Sequence, residues 1–573
     1  MVIEYAILLL LFIAPGYLVL RGRFADDERL ALAAAASAAL YGAGALACRM
    51  LGLPLAAASV ILPASVVVFL RGQTFSFSKD LKMVFATAVI ACFAAQSLAA
   101  PQAYDTDGIF QMVAAKSFLT DDWMAVNFVD NYFEPVRFPQ PITYRPPLNN
   151  VNMGLAFSLL GYSYEVAVLY SMTFTACLAA ALYLAAGHLF GQKTAFLSSL
   201  ALVCLNPYVL SSGFRVHAYN ITAYLILCFL YLWQVKAHHV YLGVLAGMLY
   251  LTHSMGLVFL VSYASYQLFT ERGRVLKYAD GRAVAFVLVA ALVVSPWLYR
   301  NFALYGDPFY QSSRHVMVLT DLEQYFRLDP PKMSDYLAYL LFPANMVMIK
   351  GGAVWKTFMP VPYSAAYNRY QPLELFNPLA WGNNMMGLLS PPLMLASVYF
   401  ALRNWRKLAP FLFWSSMLLS LVLLGYRVSF AHSLMYAPIL LLGAYGIHRI
   451  GGRRRLMALV AAFLVIESWA VYSDQANHSV DNEAASWILA NTKEDAIIMS
   501  RQHVMINYMT GRKTMPTPKE GWETIYSTMR EYGVTHYAVH FEDLRLRDVN
   551  LTVLNGTLKY RTKSPEYWIY EVG

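Results

Sequence analysis

YDTDGIFQMVAAKSFLTDDW, residues 104–123, and NYFEPVRFPQPITYRPPLNNVNMGLAFSLLG, residues 131–161, lie between strongly apolar segments of a 573-residue chain. Carboxylates, arginines, prolines and aromatics crowd together here, although charged residues make up only 13% of the sequence. A plain connector between helices would be short, about 2–8 residues. A long loop with this chemistry, set between apolar segments, reads as a functional loop at a membrane surface.

Working outward, 58% of the residues are hydrophobic and the mean hydropathy is +0.45. Repeated apolar runs of roughly 17–25 residues mark a polytopic α-helical membrane protein. Spans are expected at about 2–20, 29–47, 55–70 and 82–100 before the loop at about 101–163. Six follow, at about 164–190, 195–211, 218–234, 240–254, 256–270 and 283–299. A second long loop, about 300–377, precedes four more, at about 378–401, 408–426, 431–448 and 456–472. The total is about fourteen, with short segments such as 240–254 ambiguous by length. The N-terminal run MVIEYAILLLLFIAPGYLVL lacks a basic leader and reads as a retained helix. Cys48, Cys92, Cys177, Cys204 and Cys228 all lie in or beside apolar segments, without metal-ligand spacing, so neither a disulfide framework nor a zinc site is expected.

The net charge of +9 raises the question of nucleic acid, but the basic residues sit in short clusters between spans. Arg21, Arg23 and Arg29 form one, and Arg71, Lys79 and Lys82 another. Arg272, Arg274, Lys277 and Arg282, then Arg403, Arg406 and Lys407, then Arg449 and Arg453–Arg455 complete five. With the spans above, all five fall on one side, which the positive-inside rule makes cytoplasmic. Both long loops and the C-terminal tail then face outward from a cell membrane, and no nucleic-acid partner is expected.

Three domains follow: additional helices over 1–81, a transmembrane core over 82–476 with the two long outer loops, and a small soluble α/β domain over 477–573. In that last part, EAASWILANT reads as an amphipathic helix with Ala484, Trp487, Ile488 and Ala490 on its buried face. AIIMS, THYAVH and YWIYEV read as strands, and WETIYSTMREYG as a helix closed by glycine. Asn477, Asn550 and Asn555 stand in glycosylation sequons, weak signals by themselves.

Asp105 and Asp107 stand two apart, just beyond a span. A carboxylate there can serve as general base toward a hydroxyl, bind a divalent cation, or cap the following helix at its positive end. Leu148, Val151, Leu155 and Leu159 recur at helical spacing, with Asn149, Asn150 and Asn152 on the other side. This suits a helix lying along the membrane interface. Arg145, stiffened by Pro146 and Pro147, enters that helix where a lipid phosphate would emerge. Arg300, Arg215, Arg314 and Arg427 are further outward cations, each read as a phosphate ligand or an interfacial anchor. His217, His253, His315 and His432 also lie outward, but no HxxxH or HExxH spacing points to a metal.

YDTDGIF, YRPPLNN, PWLYRNFALYGDPFY, AHSLMYAPILLLGAYG and EAASWILANTKEDAIIM, in this order and outward placement, resemble the GT-C superfamily of integral-membrane glycosyltransferases. The likeness is to the group of protein O-mannosyltransferases and lipid A aminoarabinose transferases, and it covers about residues 82–573. It implies inverting transfer of a sugar from a polyprenyl-phosphate donor to a hydroxyl of a protein, lipid or glycan on the outer face. Asp107 and Asp105 become the catalytic candidates, and also the metal ligands if the reaction uses Mg2+ or Mn2+. Tyr104, Tyr144, Arg145, Arg300, Arg215, His253 and Arg427 become the substrate-binding candidates. Many such enzymes carry adjacent acidic residues, whereas Thr106 separates them here, so which aspartate is the base stays open. No P-loop or Rossmann fingerprint occurs, as suits a donor that is already activated.

A polysaccharide polymerase or ligase using lipid-linked sugars would look similar. A lipid-linked oligosaccharide flippase would place ionisable residues within the spans, which are nearly free of them. The topology predicts that Thr120→Cys, Ser334→Cys and Ser527→Cys react with a membrane-impermeant thiol reagent on intact cells, while Gly273→Cys does not. Labelling of Gly273→Cys alone would invert the arrangement.

Overall fold

The computed structural model describes residues 2–60, 76–98, 106–120, 125–129, 132, 136–142, 146–214, 216, 218–253, 281–310, 328, 389, 391–404, 428–451, 454–475, 482–540, 549–565 and 567–572. The helical part runs α1 (Val2–Val19), α2 (Asp26–Met50), α3 (Lys79–Leu98), α4 (Thr106–Lys116), α5 (Pro147–Leu160), α6 (Tyr164–Phe190) and α7 (Gln192–Ser199). It continues with α8 (Pro207–Phe214), α9 (Tyr219–Gln234), α10 (His239–Thr252), α11 (Gly281–Tyr305), α12 (Pro391–Arg403), α13 (Val428–Ile450) and α14 (Arg454–Gln475). Among the described residues, four helical stretches are long and apolar enough to cross a membrane: Val2–Val19, Asp26–Met50, Tyr164–Phe190 and Val284–Tyr305. Of the sequence-expected spans, 256–270 and 408–426 lie outside the described residues.

Helix α6 is the axis of the bundle. Its apolar stretch is wholly buried, and it packs against α1, α2, α3, α5, α8, α9 and α13. The run TACLAAALYLAAG explains this, because small side chains let neighbouring backbones approach from several sides. Ser163 starts the helix by accepting from the Val166 amide at 3.2 Å, and Gly191, at φ +90°, ends it. The same small-residue logic joins other pairs. A Cβ on Gly243 or Gly247 of α10 would stand 2.7 Å from the Phe286 carbonyl oxygen or 2.6 Å from Val293 of α11. At the α1–α2 contact, the Gly16 amide donates to Ser37 Oγ at 2.8 Å.

The span expected at 195–211 is broken. A π-helical turn, Leu200–Cys204, ends α7, and Asn206 Oδ1 then accepts from the Val209 amide at 3.2 Å to start α8 at Pro207. Proline has no amide to continue the first helix and is pre-shaped to open the second.

The first long loop pairs β1 (Ala125–Val126) antiparallel with β2 (Gln140–Pro141), and residues 482–572 hold a small α/β unit, with α15 (Asn482–Asn491), β3 (Ile497–Met499), α16 (His503–Thr510), β4 (Lys513–Met515), α17 (Trp522–Glu531), β5 (His536–His540), α18 (Leu551–Thr557), β6 (Lys559–Lys563) and β7 (Tyr567–Glu571). Its five-stranded sheet has the order β4-β3-β5-β7-β6, parallel from β4 to β5 and antiparallel beyond. In α15 the buried residues are Ala484, Ala485 and Ile488, and Ala490 is exposed, which corrects the expected face by one position. The turn after α17 closes on Gly533 at φ +63°, as glycine allows.

The chain between these parts decides where a site can form. Helix α5 has no wetted asparagine side: Leu148 to Phe157 are buried without interruption, Asn149, Asn150 and Asn152 included. Two contacts give its register against α4. Asn149 Nδ2 donates to Gln111 Oε1 at 2.7 Å, and a Cβ on Gly154 would stand 2.9 Å from the Ala115 carbonyl oxygen. Both helices advance together between these contacts, so they run parallel and their N-termini lie at the same end. Gly154→Ala is expected to force the helices apart or displace Leu55 and Phe118, whose atoms lie 3.3 Å from that Cβ. Thermal unfolding in detergent should show a loss of about 1–3 kcal/mol, the usual cost of overpacking.

Candidate functional site

The α4–α5 pair brings two helix starts to one end, each next in the chain to sequence-expected residues. Thr106 opens α4, so Asp107 stands in its first turn, and Asp105 immediately precedes it in the chain. Pro146 caps α5 with extended backbone and Pro147 begins it, so Tyr144 and Arg145 immediately precede that start. Tyr104, Asp105, Tyr144, Arg145, Arg215, Arg427, His217 and His315 lie outside the described residues, as do the side chains of Asp107 and His432. Two helix N-termini side by side present unpaired amides and partial positive charge.

One turn into both helices lies a polar relay that periodicity alone did not reveal. The Tyr170 hydroxyl of α6 donates to Asn149 Oδ1 at 3.0 Å, and Asn149 Nδ2 passes the link to Gln111 Oε1. Three helices are thereby tied by side chains that are all nearly excluded from solvent. A parallel arrangement exists on the far side of α6, where Asn220 Nδ2 of α9 donates to Thr175 Oγ1 at 2.7 Å and to the Val209 carbonyl at 2.9 Å. Not every amide is satisfied. Among the described residues, neither side-chain atom of Asn150 has a hydrogen-bond partner, nor has Oδ1 of Asn152. A buried polar group left unpaired costs about 1–3 kcal/mol.

A crevice follows the relay, lined by Asn149, Met153, Tyr170, Ser171, Phe174, Val216 and Ile221. Val216 holds φ at +60°, a conformation that a β-branched residue adopts only under strain, of order 1–3 kcal/mol. In the chain it separates Arg215 from His217, so a constrained residue at the crevice stands next to two of the sequence-expected groups.

Arg300 and His253 lie within the described residues. Helix α11 continues to Tyr305, so Arg300 belongs to its last turns rather than to the loop expected to begin at 300. Its guanidinium lies over Trp297 at 4.8 Å and donates to Asn301 Oδ1 at 3.3 Å. His253 is half-buried and ends α10, its amide donating to the Leu249 carbonyl at 3.0 Å. All five cysteines are free and buried.

The α/β unit docks on the first long loop. Phe128 bridges Thr514 in parallel, extending the sheet beyond β4. The Val129 amide donates to the Thr514 carbonyl at 2.8 Å, and the Thr514 amide to the Asn127 carbonyl at 3.2 Å. Asn507 Nδ2 donates to that same Asn127 carbonyl at 3.0 Å, and the Tyr132 hydroxyl to the Pro516 carbonyl. Helix α16 then lies against α4, with His503 edge-on to Phe128, which is in turn edge-on to Phe110. Helix α4 thus lies between α5 and the α/β unit, through Gln111 and Ala115 on one side and Phe110 on the other.

Residues 144–299 match the model of the dolichyl-phosphate-mannose-protein mannosyltransferase family. In fold, the chain is similar to the Archaeoglobus fulgidus oligosaccharyltransferase tethered to an acceptor peptide containing the NVT sequon. The TM-score is 0.53 at 12% identity, over 85% of this chain and 74% of that one. The apo form of that protein gives 0.50 at 12% identity, over 80% and 70%. ArnT from Cupriavidus metallidurans bound to undecaprenyl phosphate aligns at 0.45 and 12% identity, over 86% and 97%. Among curated proteins, none matches the sequence. The matched segment and the shared fold bear out the resemblance to GT-C membrane glycosyltransferases.

Burial pushes the His503 imidazole down from about 6.5 to about 4, because the packed junction offers the cation no water. The ring is therefore neutral in the docked state, while in the unfolded chain it gains a proton as pH falls through 6.5. Stability at this junction should be full above pH 6.5 and fall by about 3 kcal/mol toward pH 4. Protection factors of the amides in 497–515, taken against the intrinsic exchange rate at each pH, should fall over that window, and His503→Gln should flatten the dependence.

Proposed function

We propose that this chain transfers a sugar from a polyprenyl-phosphate donor to an acceptor hydroxyl on the outer face of the membrane, with inversion at the anomeric carbon. The observation that carries the reading is the parallel α4–α5 pair, which gathers the helix starts following YDTD and YRPP at one end. Part of that region, including YRPP, falls in the segment that matches a family named for a dolichyl-phosphate sugar donor. The fold shared with an oligosaccharyltransferase tethered to an acceptor peptide supports a protein among the candidate acceptors.

In this reading, Asp107 or Asp105 removes the acceptor proton as the hydroxyl oxygen attacks C1. The bond from C1 to the phosphate oxygen breaks, and the lipid phosphate leaves with the electron pair. Its growing charge is met by Arg145 and the helix N-termini, with Arg215, Arg300, Arg427, Tyr104, Tyr144 and His253 as further donor contacts. A donor with a long lipid tail stays in the bilayer, so the site must lie where its phosphate emerges. If Asp105 and Asp107 hold Mg2+ or Mn2+, chelation removes the activity and either ion restores it.

Purified protein with radiolabelled polyprenyl-phosphate sugars tests the reading directly, since label should leave the lipid for an acceptor. A lipid-linked glycan as the sole acceptor would favour the polymerase or ligase reading. The Asn variant of the base should lose roughly two to four orders of magnitude in rate with donor binding kept. Normal turnover in both Asp105→Asn and Asp107→Asn would place the base elsewhere. Arg145→Ala should weaken donor binding, and Arg145→Lys should recover only part of it, lacking the planar fork. Unchanged donor affinity in Arg145→Ala would make that residue an interfacial anchor.

A further inference from the structure

We infer that Gln111 is a positioning residue for the transfer, setting the depth and rotation of the Asp107 turn through its bond to Asn149, an inference that rests on the transferase reading above. Gln111 is 7% exposed, and its Oε1 accepts from Asn149 Nδ2 at 2.7 Å. Asn149 is in turn fixed from α6, its Oδ1 accepting from the Tyr170 hydroxyl at 3.0 Å. Helix α4 is short, eleven residues. Two bonds in series tie it to a helix whose apolar stretch is wholly buried.

Helical spacing extends that tie to the candidate base. Gln111 meets Asn149, and the Ala115 backbone lies against Gly154, so the stripe of α4 that faces α5 runs through positions 111 and 115. Position 107, four residues before Gln111, lies on the same stripe, about one turn or about 6 Å away. Four residues before Asn149 in the chain is Arg145, just ahead of the α5 start. One hydrogen bond therefore sets the two helix starts against each other, close in sequence to the groups proposed to do the chemistry. Asp105 precedes α4 and shares no helical stripe with Gln111.

The kind of contact matters. Apolar burial is non-directional, and a helix seated on it alone turns or slides at small cost. A hydrogen bond weakens steeply below about 120°, and a buried amide that loses its partner meets no water in exchange. Fixing register is the best-attested use of buried polar groups. General-base transfer needs such fixing, because a misplacement of about 1 Å can cost about a hundredfold in rate.

The test measures rate at saturating donor, and donor affinity, for the full-length protein in detergent. Radiolabelled undecaprenyl-phosphate mannose, glucose, galactose and N-acetylglucosamine serve as donors, and a cell-envelope extract supplies the acceptor. Gln111→Met keeps the length of the side chain and removes the acceptor oxygen. It should lose roughly ten- to hundredfold in rate, while thermal stabilisation by the donor stays at the wild-type value. Tyr170→Phe, which removes only the far hydroxyl, should lose rate to a smaller extent. Ser37→Ala removes the acceptor of the Gly16 amide between α1 and α2, and so controls for loss of a buried hydrogen bond as such. Its rate should equal that of the wild type. A double-mutant cycle identifies the group acted through. Added to Asp107→Asn, Gln111→Met should cost about twofold or less, whereas added to Asp105→Asn it should cost its full factor. Full losses in both backgrounds, or a wild-type rate in Gln111→Met, overturn the inference and leave the transferase reading standing. A wild type that transfers sugar from none of these donors sinks the transferase reading and the inference with it.

Discussion

Away from water, each buried polar atom must find its partner inside the protein, and this constraint sets the centre of the bundle. The relay from Tyr170 through Asn149 to Gln111 ties three helices at one level, each amide atom committed to one neighbour. A slip of α5 by one residue would break both bonds and carry Gly154 off the Ala115 carbonyl. The relay therefore fixes depth as well as contact, which side chains with only non-directional attraction could not do. The register of the helix starts at YDTD and YRPP follows from it.

Close approach is the second condition. Gly154 on α5, Gly16 on α1, and Gly243 with Gly247 on α10 all lie where a Cβ would stand within 3.0 Å of a neighbouring helix. For Gly154, Gly16 and Gly243 the obstacle includes a backbone carbonyl, which cannot move aside as a flexible side-chain end can, and for Gly247 it is the branched Val293 side chain. Where both helices of such a pair are apolar, hydrophobic burial inside a bilayer gains little over lipid contact, and packing at short range supplies the attraction. The alanine-rich surfaces of α2 and α6 extend the same principle along the longest helices.

The α/β unit does more than follow the bundle. Through Phe128, Asn127 and Val129 it makes the first long loop part of its own sheet edge, and through α16 it covers α4. A strand edge left open to solvent invites pairing with other chains, and this one is covered by residues far away in sequence. The cost of burying His503 at that junction makes the contact sensitive to acid.

Apolar run length was enough to mark the helical membrane architecture, because a span must satisfy its backbone internally and face lipid. The α/β character of the tail was also legible: three of its five strands, and glycine as the terminator after α17, follow from local pattern and φ alone. YDTD and YRPP stood out as candidates, because carboxylates and a proline-braced arginine are conspicuous beside apolar spans. What the pattern could not say was which side of a helix faces inward. Asn149, Asn150 and Asn152 looked like a wetted stripe because polar residues usually are; three-dimensional packing buries them among helices 38 or more residues distant in some contacts. In α15 a one-residue rotation likewise exchanged Ala490 for Ala485. The π-helical break before Asn206 and the docking of Asn127, Phe128 and Val129 on β4 depend on partners distant in the chain. Local sequence determines period and chemistry; only tertiary contact decides which neighbour each polar atom meets, because a hydrogen bond in a dry interior is chosen by geometry in space.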